Sequence, residues 1–400
     1  MKKPRRVYKI IKILLIFFLI IIVLYALFQY VCAPVYDFPQ KQKFSGNRIY
    51  NPYQNCNSGA WKKAVFHLHS KSWGGIANGA GSDQQIFDRY QYLGYDVVTL
   101  SNYQKINHAK YPVQQEYIAN YEHGFGIKKN HHINISASSV LAFDFMFPQT
   151  LSNKQFIINL LRTRTKVLAL AHPDWNGAVS ANDIKQLCNY DLLEIQSNYR
   201  NSVNLWDTAL SAGAAVFLLV DDDGHDINNP NVVGRCLTMV NTNETSQVSV
   251  IDALKTGKTI GVAVGSIENE SFETKKVNIG QLPVLNYLYL AYDTIKLSVS
   301  KKASEIQFIG QQGQVLKTVN NTSKTSYIFK HKDTYVRTQI TFADGSVYYL
   351  NPLIRYNGKA FAEYQPTLNV VITVLKNAIF IILLIVIIGF NLRRKPKKQG

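Results

Sequence analysis

Short apolar runs alternate with amphipathic segments through the middle of the chain. The runs that predict strands are 64–69, 96–102, 132–138, 167–173, 192–198, 214–222 and 235–241. Apolar positions at helical spacing predict helices over 83–93, 153–164, 181–190, 203–212 and 249–256. Strands that are separated mostly by helices are typical of a parallel α/β barrel. We therefore expect a seven-stranded barrel over residues 63–265.

The pattern changes after this region. From residue 284 strand-like runs follow one another with no long helix between them, and Asp344-Gly345 is a hairpin turn signal. This predicts a small antiparallel β-sandwich over 284–356. Residues 32–62 are rich in Pro, Tyr, Asn and Gln and show no periodicity, so they are interpreted as a spacer.

Two apolar runs of membrane-spanning length flank these regions. Residues 13–31 contain no charge, and residues 370–391 are interrupted by Lys376 and Asn377. A lysine near a helix end can extend its ammonium group to the membrane surface. A cleaved signal peptide is the alternative for the first run, but its length and the lack of a small-x-small motif before Pro34 favour a retained anchor. Two transmembrane helices are expected.

The net charge of +18 is concentrated at the two ends of the chain. The tails 1–12 and 392–400 together carry eleven basic residues and no acidic ones. By the positive-inside rule, both tails lie in the cytoplasm and the domains between the helices lie across the membrane. The expectation is a two-pass protein of the cell (inner) membrane, with the lipid bilayer as its partner. No nucleic-acid-binding motif accompanies the charge, so no nucleic acid is expected.

The cysteines do not indicate a disulfide framework. Cys32, Cys56, Cys188 and Cys236 have no paired spacing, and the chain has no C-x-x-C motif for zinc. One disulfide remains open in an oxidising compartment.

Chemically active side chains stand where several predicted strands end. His67 and His69 are two positions apart in the run 64–69, so both rings emerge on one face and could hold a cation. His172 and the acidic stretch 221–226 end other strands. The carboxyl ends of barrel strands meet at one face. These side chains are therefore expected to converge in one site.

Four short motifs support a family resemblance. "FHLHS", "GYDVVTLSN", "ALAHP" and "DDDGHD" resemble, in order and spacing, the PHP domain (polymerase and histidinol phosphatase superfamily). The resemblance covers about 64–265 and implies a distorted (β/α)7, TIM-like barrel. Active members hydrolyse phosphate esters with two or three divalent ions at the strand ends. The resemblance implies a phosphorylated small molecule or polymer as substrate.

The resemblance also implies a set of metal ligands. His67 and His69 look like the pair that binds the first metal, and His172 like a ligand of the neighbouring ion. Asp223 and His225 look like the pair that reaches the first and third metals. Imidazole and carboxylate suit Zn, Mn or Fe, and clustered cations lower the pKa of a bound water.

Several positions depart from the family pattern. Ser101 and Asn102 stand in place of an Asp-His pair, and Trp73 and Gly74 in place of an acid. The third predicted strand, "NISASS", lacks the metal-bridging glutamate. This predicts a reduced site with one or two ions rather than three. Two functions stay open: a membrane-anchored phosphoesterase, or an inactive barrel (a pseudoenzyme) that acts as an extracytoplasmic binding or scaffold module.

Other polar residues have more ordinary interpretations. Glu194 either supports the site as a neighbouring acid or replaces a ligand. His131 and His132 begin the third strand, the wrong end for catalysis in a parallel barrel, and are expected to be surface or packing residues. Asp221 and Asp222 are expected to be loop acids or helix caps.

Overall fold

The fold is a mixed α/β architecture with an apolar helix at each end. The computed structural model describes residues 4–77, 79–108, 116–265 and 270–393, so parts of both basic tails lie outside the described residues. The helices are α1 (Pro4–Cys32), α2 (Asp83–Tyr92), α3 (Leu151–Arg162), α4 (Ala181–Gln186), α5 (Val203–Ala212), α6 (Gln247–Lys255), α7 (Phe272–Gly280) and α8 (Val370–Arg393). The strands are β1 (Tyr36–Asp37), β2 (Arg48–Tyr50), β3 (Trp61–Val65), β4 (Val97–Val98), β5 (Asn120–His123), β6 (His131–Ala137), β7 (Thr165–Ala171), β8 (Leu192–Gln196), β9 (Phe217–Val220), β10 (Cys236–Asn241), β11 (Thr259–Ala263), β12 (Leu285–Ala291), β13 (Thr294–Ile309), β14 (Val315–Ile328), β15 (Tyr335–Phe342), β16 (Val347–Tyr356) and β17 (Thr367–Leu368).

The fold contains a curled half-barrel sheet and extra sheets, and its two larger sheets adjoin at the edges of their strands. One has five strands in the order β5-β6-β7-β8-β9. The other has ten strands, with the path β12-β13-β15-β16-β11-β10-β3-β4 and with β14 and β2 attached to it. Side chains join the sheets where their strands adjoin: the Asn120 amide donates to the Phe66 carbonyl at 2.6 Å, and the Val220 N–H donates to Thr238 Oγ1 at 3.0 Å. The strand ends that follow β3, β5, β7 and β9 therefore come close together.

The regular parallel barrel expected from the sequence is not what the described strands form. The pairs β3–β4, β7–β8 and β8–β9 are parallel, whereas β5–β6, β6–β7 and β10–β11 are antiparallel. The physical reason is clearest at β5 and β6, because the short connection at 124–130 cannot hold the crossover that a parallel pair needs. The alternation of helices and strands is confirmed. This alternation does not determine whether neighbouring strands run parallel or antiparallel.

Local sequence explains where the helices begin. Ser82, Thr150 and Ser180 each accept a hydrogen bond from the backbone N–H three residues later, and that residue's side chain accepts from the backbone N–H of the cap. These reciprocal pairs satisfy two of the free donors at a helix start. The five helices predicted in the barrel region therefore start within about two residues of their expected positions.

The C-terminal strands extend the ten-stranded sheet and do not form a separate sandwich. Antiparallel strands lie over 285–356 as expected, but β16 pairs directly with β11 in the register Ile260↔Leu350. Asn351 is fully buried and ties three strands together: its Oδ1 accepts from Leu218 N, and its amide donates to Thr259 O. The edge of β11 would otherwise present unpaired backbone groups. The predicted boundary between 265 and 284 therefore separates two sequence patterns, alternating helices and strands before it and strands alone after it. Both patterns contribute strands to the same sheet.

The terminal helices lie side by side. Two spans, Val7–Cys32 and Val370–Ile387, are long and apolar enough to cross a membrane, and little of either is buried. Lys376 Nζ donates to the carbonyl oxygens of Tyr30, at 3.1 Å, and of Ala33. By length and composition both helices could cross a membrane; anchoring and orientation stay predictions. The four cysteines form no disulfide.

Candidate metal centre

A buried group of imidazoles and carboxylates lies where the strands of the two sheets end. We call it the histidine–carboxylate cluster, and its members are His67, His69, Glu122, His131, His172, Glu194, Asp223 and His225. The side chain of His225 is 13% exposed, and the others are almost completely buried. Four overlapping triplets in the cluster have ligand atoms within 4.8 Å of one another.

Glu122 lies at the centre of the cluster. Its Oε1 is 2.5 Å from His131 Nδ1, 3.3 Å from His172 Nε2 and 3.5 Å from His67 Nε2. Its Oε2 is 3.2 Å from His69 Nε2. One carboxylate therefore faces four imidazoles from three different segments of the chain.

Asp223 and His225 close one side of the cluster. Asp223 Oδ1 is 3.2 Å from His67 Nε2 and 3.5 Å from His69 Nε2. The His225 ring stacks on the His69 ring with centroids 4.3 Å apart, and its pKa is lowered to about 4 by burial and by His69. Asp223 has a φ of +49°, a conformation that costs free energy in a residue with a side chain and is found most often at functional sites.

Glu194 contacts two members of the cluster from behind. Its Oε1 is 2.8 Å from His67 Nδ1, and its Oε2 accepts a 2.6 Å hydrogen bond from the backbone N–H of His172. The contact to Nδ1 turns the other ring nitrogen of His67 toward Glu122 and Asp223. A carboxylate in this position orients a metal-binding imidazole. Glu194 also belongs to a triplet with His67 and His172. Both interpretations of Glu194 therefore remain: an acid that supports the site from behind, or a metal ligand.

Charges inside the cluster shift its pKa values strongly. Burial lowers the pKa of His67, but Asp223, Glu194 and Glu122 outweigh burial and raise it well above its usual value. Burial raises the pKa of Glu122, but His131 and His67 outweigh it and lower the value well below normal. Burial likewise raises the pKa of Asp223, but His67, His69 and His172 together outweigh burial and lower this pKa to about 2. The carboxylates of Glu122 and Asp223 therefore stay ionised and stabilise positive charge between them.

Several buried polar atoms of the cluster have no hydrogen-bond partner among the described residues. They include His67 Nε2, both ring nitrogens of His69, Glu122 Oε2 and both carboxylate oxygens of Asp223. Each such atom costs about 1–3 kcal/mol when nothing satisfies it. Nitrogen and oxygen donors at this density suit a divalent transition metal. The residues present therefore fit one or more metal ions.

All five ligands expected from the sequence, His67, His69, His172, Asp223 and His225, come together in this cluster. Their spatial grouping is a finding, whereas their role as ligands remains a proposal. The two histidines of the H-x-H motif follow β3, and His172 and Asp223 follow β7 and β9.

The expectation for His131 was wrong. It lies inside the cluster because β6 runs antiparallel to β7 and pairs His131 with Ala171, the residue before His172. The start of β6 is therefore at the same end as the ends of its neighbours. His132 points to the other face, where its ring lies 5.8 Å from the ring of His123, so the packing interpretation suits it.

Glu122 was missed by sequence reasoning. A central acid was sought on the strand "NISASS", whereas it lies on β5, a strand of four buried residues with no alternation to reveal it. The pair Glu122-His123 in "NYEHGFG", just before Gly124, is the signal that the sequence did offer. The cluster therefore contains a central carboxylate although the third predicted strand offers none, and the number of ions that it holds stays a prediction.

Ser101 and Asn102 support the loop that carries the first two histidines. The Leu68 N–H donates to Ser101 Oγ at 3.0 Å, and the Ser70 N–H donates to Asn102 Oδ1 at 2.8 Å. Both side chains thus accept hydrogen bonds from backbone groups of this loop. They fix the positions of His67 and His69 without offering a further ligand.

Asp221 and Asp222 are buried anchors rather than loop acids or caps. Asp221 Oδ1 accepts from the Phe66 N–H at 2.7 Å. Asp222 accepts from the Cys236 N–H at 2.7 Å and from the Tyr90 hydroxyl at 2.6 Å. They connect the end of β9 to β3, α2 and β10, and so hold Asp223 in place.

A cavity of about 570 Å³ lies elsewhere in the described structure. It is bounded by the end of α3, the start of β9 and residues 360–365. Two of its cationic side chains are already engaged: Lys41 donates to the Leu187 carbonyl at 2.5 Å, and Arg162 pairs with Asp191. No member of the histidine–carboxylate cluster lines this cavity. The candidate metal-binding side chains therefore lie in the cluster and not in the cavity.

No family model matches this chain, and no curated protein matches it. A similar solved structure is a crystal structure of a two-domain protein containing a predicted PHP-like metal-dependent phosphoesterase from Bacteroides vulgatus. The two chains are 12% identical with a TM-score of 0.40, and the match covers 83% of this chain and 100% of that one. A likeness at this level does not assign a function.

Proposed function

We propose that this protein is a membrane-anchored, metal-dependent phosphoesterase that binds one or two divalent ions, Zn, Mn or Fe, in the histidine–carboxylate cluster. The observation that carries the proposal is the position of Glu122, whose two carboxylate oxygens face different imidazoles. A carboxylate shared between neighbouring ions is suited to two-metal phosphate chemistry. The four sequence motifs that resemble the PHP domain favour phosphate esters as substrates.

Two of the triplets define the proposed sites. His67, His69 and Glu122 form one, and Glu122, His131 and His172 form the other. Divalent ions bound there would act as Lewis acids on a phosphoryl oxygen and lower the pKa of water. We favour two ions over one because Glu122 belongs to both triplets.

The chain's own groups complete the site. Glu194 fixes the tautomer and direction of His67, which leaves one ring nitrogen free for a metal. The Trp175 ring packs against His172 with centroids 4.9 Å apart, and the Arg200 guanidinium lies 5.1 Å from the Trp175 centroid. Arginine recognises phosphate through its planar donors. We assign Arg200 to binding the phosphate group.

The proposed location follows from the terminal helices and the charge pattern. Both termini lie in the cytoplasm, and the cluster lies on the other side of the inner membrane. The bilayer is then a permanent partner, and nucleic acid is not a substrate. An inactive barrel that binds or scaffolds is the alternative that the experiment below distinguishes.

The test uses the full chain, purified in detergent. Metal content is measured by mass spectrometry, and hydrolysis of p-nitrophenyl phosphate is measured with Zn²⁺, Mn²⁺ or Fe²⁺. We expect the parent to carry metal and turn over the ester, and His67→Ala/His69→Ala to lose both. The melting temperature should also fall in this variant, and added metal should stabilise only the parent.

Two outcomes would contradict the proposal. A parent that contains no metal, and whose melting curve no metal shifts, would rule out the metal site. A parent that binds metal through His67 and His69 but hydrolyses no phosphate ester would support the inactive binding module instead.

A further inference from the structure

Three exposed apolar side chains lie on two adjoining loops beside the cluster. Phe125 and Ile127 lie between β5 and β6, and Phe147 lies before α3; they are 48%, 57% and 45% exposed. The Ile127 N–H donates to the Met146 carbonyl at 3.0 Å, so the two loops are joined. We call Phe125, Ile127 and Phe147 the apolar rim.

The apolar rim is held directly by the first terminal helix. The Tyr30 hydroxyl donates to the Phe147 carbonyl at 2.6 Å, and the Gln29 amide donates to the Asp144 carbonyl at 2.7 Å. The Tyr30 and Phe145 rings are 5.0 Å apart. Gln29 and Tyr30 belong to the last turn of the apolar span Val7–Cys32, where a tyrosine is typical of the membrane interface. The rim is therefore at the depth where α1 leaves the bilayer.

Members of the histidine–carboxylate cluster lie at both ends of the loop between β5 and β6. Phe125 is three residues after Glu122, and a chain of three residues spans at most about 11 Å. Ile127 is four residues before His131, which allows at most about 14 Å. The candidate metal ligands thus lie just behind the side chains that face the membrane.

Charge on the loop suits an anionic membrane surface. Lys128 follows Ile127 and is exposed, and Lys129 is partly exposed. Apolar side chains that enter the acyl boundary, together with basic ones at the headgroups, are typical of interfacial binding. Exposed apolar patches commonly mark a surface that binds another molecule or a membrane. Here the helix that contacts the apolar rim, α1, is itself apolar over its membrane-spanning part, so the bilayer is the natural partner of the rim.

We infer that the apolar rim enters the bilayer interface and that the substrate is a lipid-borne phosphate monoester; this rests on the proposed function. Water supplies an oxygen to phosphorus, the bond between phosphorus and the lipid oxygen breaks, and the lipid alcohol leaves with a proton. The products are the lipid alcohol and inorganic phosphate. A soluble monoester offers the same phosphate chemistry without the acyl chains that would keep it at the rim.

Depth in the membrane is tested without reference to catalysis. Phe147→Trp is placed in nanodiscs that contain brominated phosphatidylcholine, and its fluorescence quenching is compared with that of the parent. Ile328→Trp is the matched control, because Ile328 is 64% exposed on β14, at the far edge of the ten-stranded sheet. We expect added quenching for Phe147→Trp and none for Ile328→Trp. Equal quenching of the two would overturn the placement of the rim.

Substrate class is tested by a ratio of two activities. Full-length protein hydrolyses long-chain phosphatidate in mixed micelles and p-nitrophenyl phosphate in solution, and the ratio is compared among variants. Phe125→Ser/Ile127→Ser/Phe147→Ser should lower the ratio about tenfold, which corresponds to about 1.4 kcal/mol of lost surface binding. Tyr292→Ser/Ile328→Ser, exposed apolar residues remote from α1, should leave it unchanged.

The outcomes separate this inference from the proposed function. If the parent hydrolyses neither compound, the proposed function fails. If it hydrolyses p-nitrophenyl phosphate but prefers long-chain phosphatidate no more than its soluble short-chain analogue, the lipid inference fails and the proposed function stands. An unchanged ratio in the rim variant would also overturn the inference.

Discussion

His131 Nδ1 lies 2.5 Å from Glu122 Oε1, across a turn that reverses the direction of the chain. The register of β5 and β6 explains the contact. Glu122 pairs with Ile133, and His131 is two positions from Ile133, so Glu122 and His131 share one face. The intervening His132 points to the other face. Strand alternation therefore decides which of two adjacent histidines belongs to the cluster.

Replacing the central carboxylate should remove the metal. Glu122→Gln keeps the size of the side chain but removes the negative charge that faces four imidazoles. We expect metal affinity to fall by more than the roughly 10- to 100-fold that loss of a supporting residue costs. Isothermal titration with Zn²⁺ measures the change. Glu244→Gln, at an exposed acid, should bind as the parent does, and normal affinity in Glu122→Gln would exclude a central role for this carboxylate.

The neighbouring histidines provide a matched pair. His131 and His132 are each 4% exposed, so substitution by Asn removes similar packing at both positions. His131→Asn should lower metal affinity and ester hydrolysis at least about tenfold, because it removes a nitrogen beside Glu122. His132→Asn should lower the melting temperature but retain metal. Equal metal loss in the two variants would contradict the assignment of His131 to the site.

Acid should weaken the fold through Asp183. Burial raises the pKa of Asp183, but the hydrogen bonds and charge of Lys154 and Ser180 outweigh burial and lower it below its usual value. A lowered pKa gives stability that is complete above the unfolded pKa of about 3.9 and is lost as the pH falls through the folded pKa. Asp183→Asn should therefore flatten the fall of melting temperature below about pH 4.

Melting curves of the full chain in detergent, recorded through this acid range, measure the effect. The exposed Asp252 of α6 offers a control, Asp252→Asn, which should keep the parental slope. Ser180→Ala removes the cap and also the hydroxyl that donates to Asp183 Oδ2, so it should cost about 1 kcal/mol near neutral pH and less once Asp183 is protonated. A parental acid slope in Asp183→Asn would contradict this account of the pKa shift.

The contact between the terminal helices should be measurable. Lys376 donates to carbonyl oxygens at the end of α1, which have no partner within their own helix. Lys376→Met should lower the free energy of unfolding in detergent by about 1 kcal/mol, the usual scale of a hydrogen bond between membrane helices. Lys12→Met, at an exposed lysine near the other end of α1, should have little effect. A stability loss of the same size in both variants would indicate a general effect of charge.

Topology is open to a direct test. The basic tails predict that both ends of the chain lie in the cytoplasm and the cluster lies outside it. A compartment-sensitive reporter fused after Gly400 should report the cytoplasm, and one inserted at Asn228, which is exposed, should report the opposite side. The same compartment at both positions would exclude a two-pass arrangement.

Much of the site could be predicted because imidazoles at the ends of strands form a distinct pattern. His67, His69 and Asp223 lie in motifs whose spacing carries information about faces and strand ends. The same reasoning failed for His131, because an apolar run has the same sequence pattern in a parallel and in an antiparallel strand. The pattern therefore does not show at which end of the sheet the first residue of β6 lies. Glu122 was missed because β5 is short and buried throughout, so neither length nor alternation distinguishes it.

The pairing of β11 with β16 has a consequence for how the protein is made. The amide of Asn351 binds the Gly257 carbonyl, a partner 94 residues earlier in the chain. On the topology that the basic tails predict, the N-terminus stays in the cytoplasm and β11 would cross the membrane well before the strand that covers it. During that interval the nascent domain would present an open sheet edge, which favours association with other chains. We therefore expect that, on this topology, folding requires protection of the open edge until residue 351 has crossed the membrane.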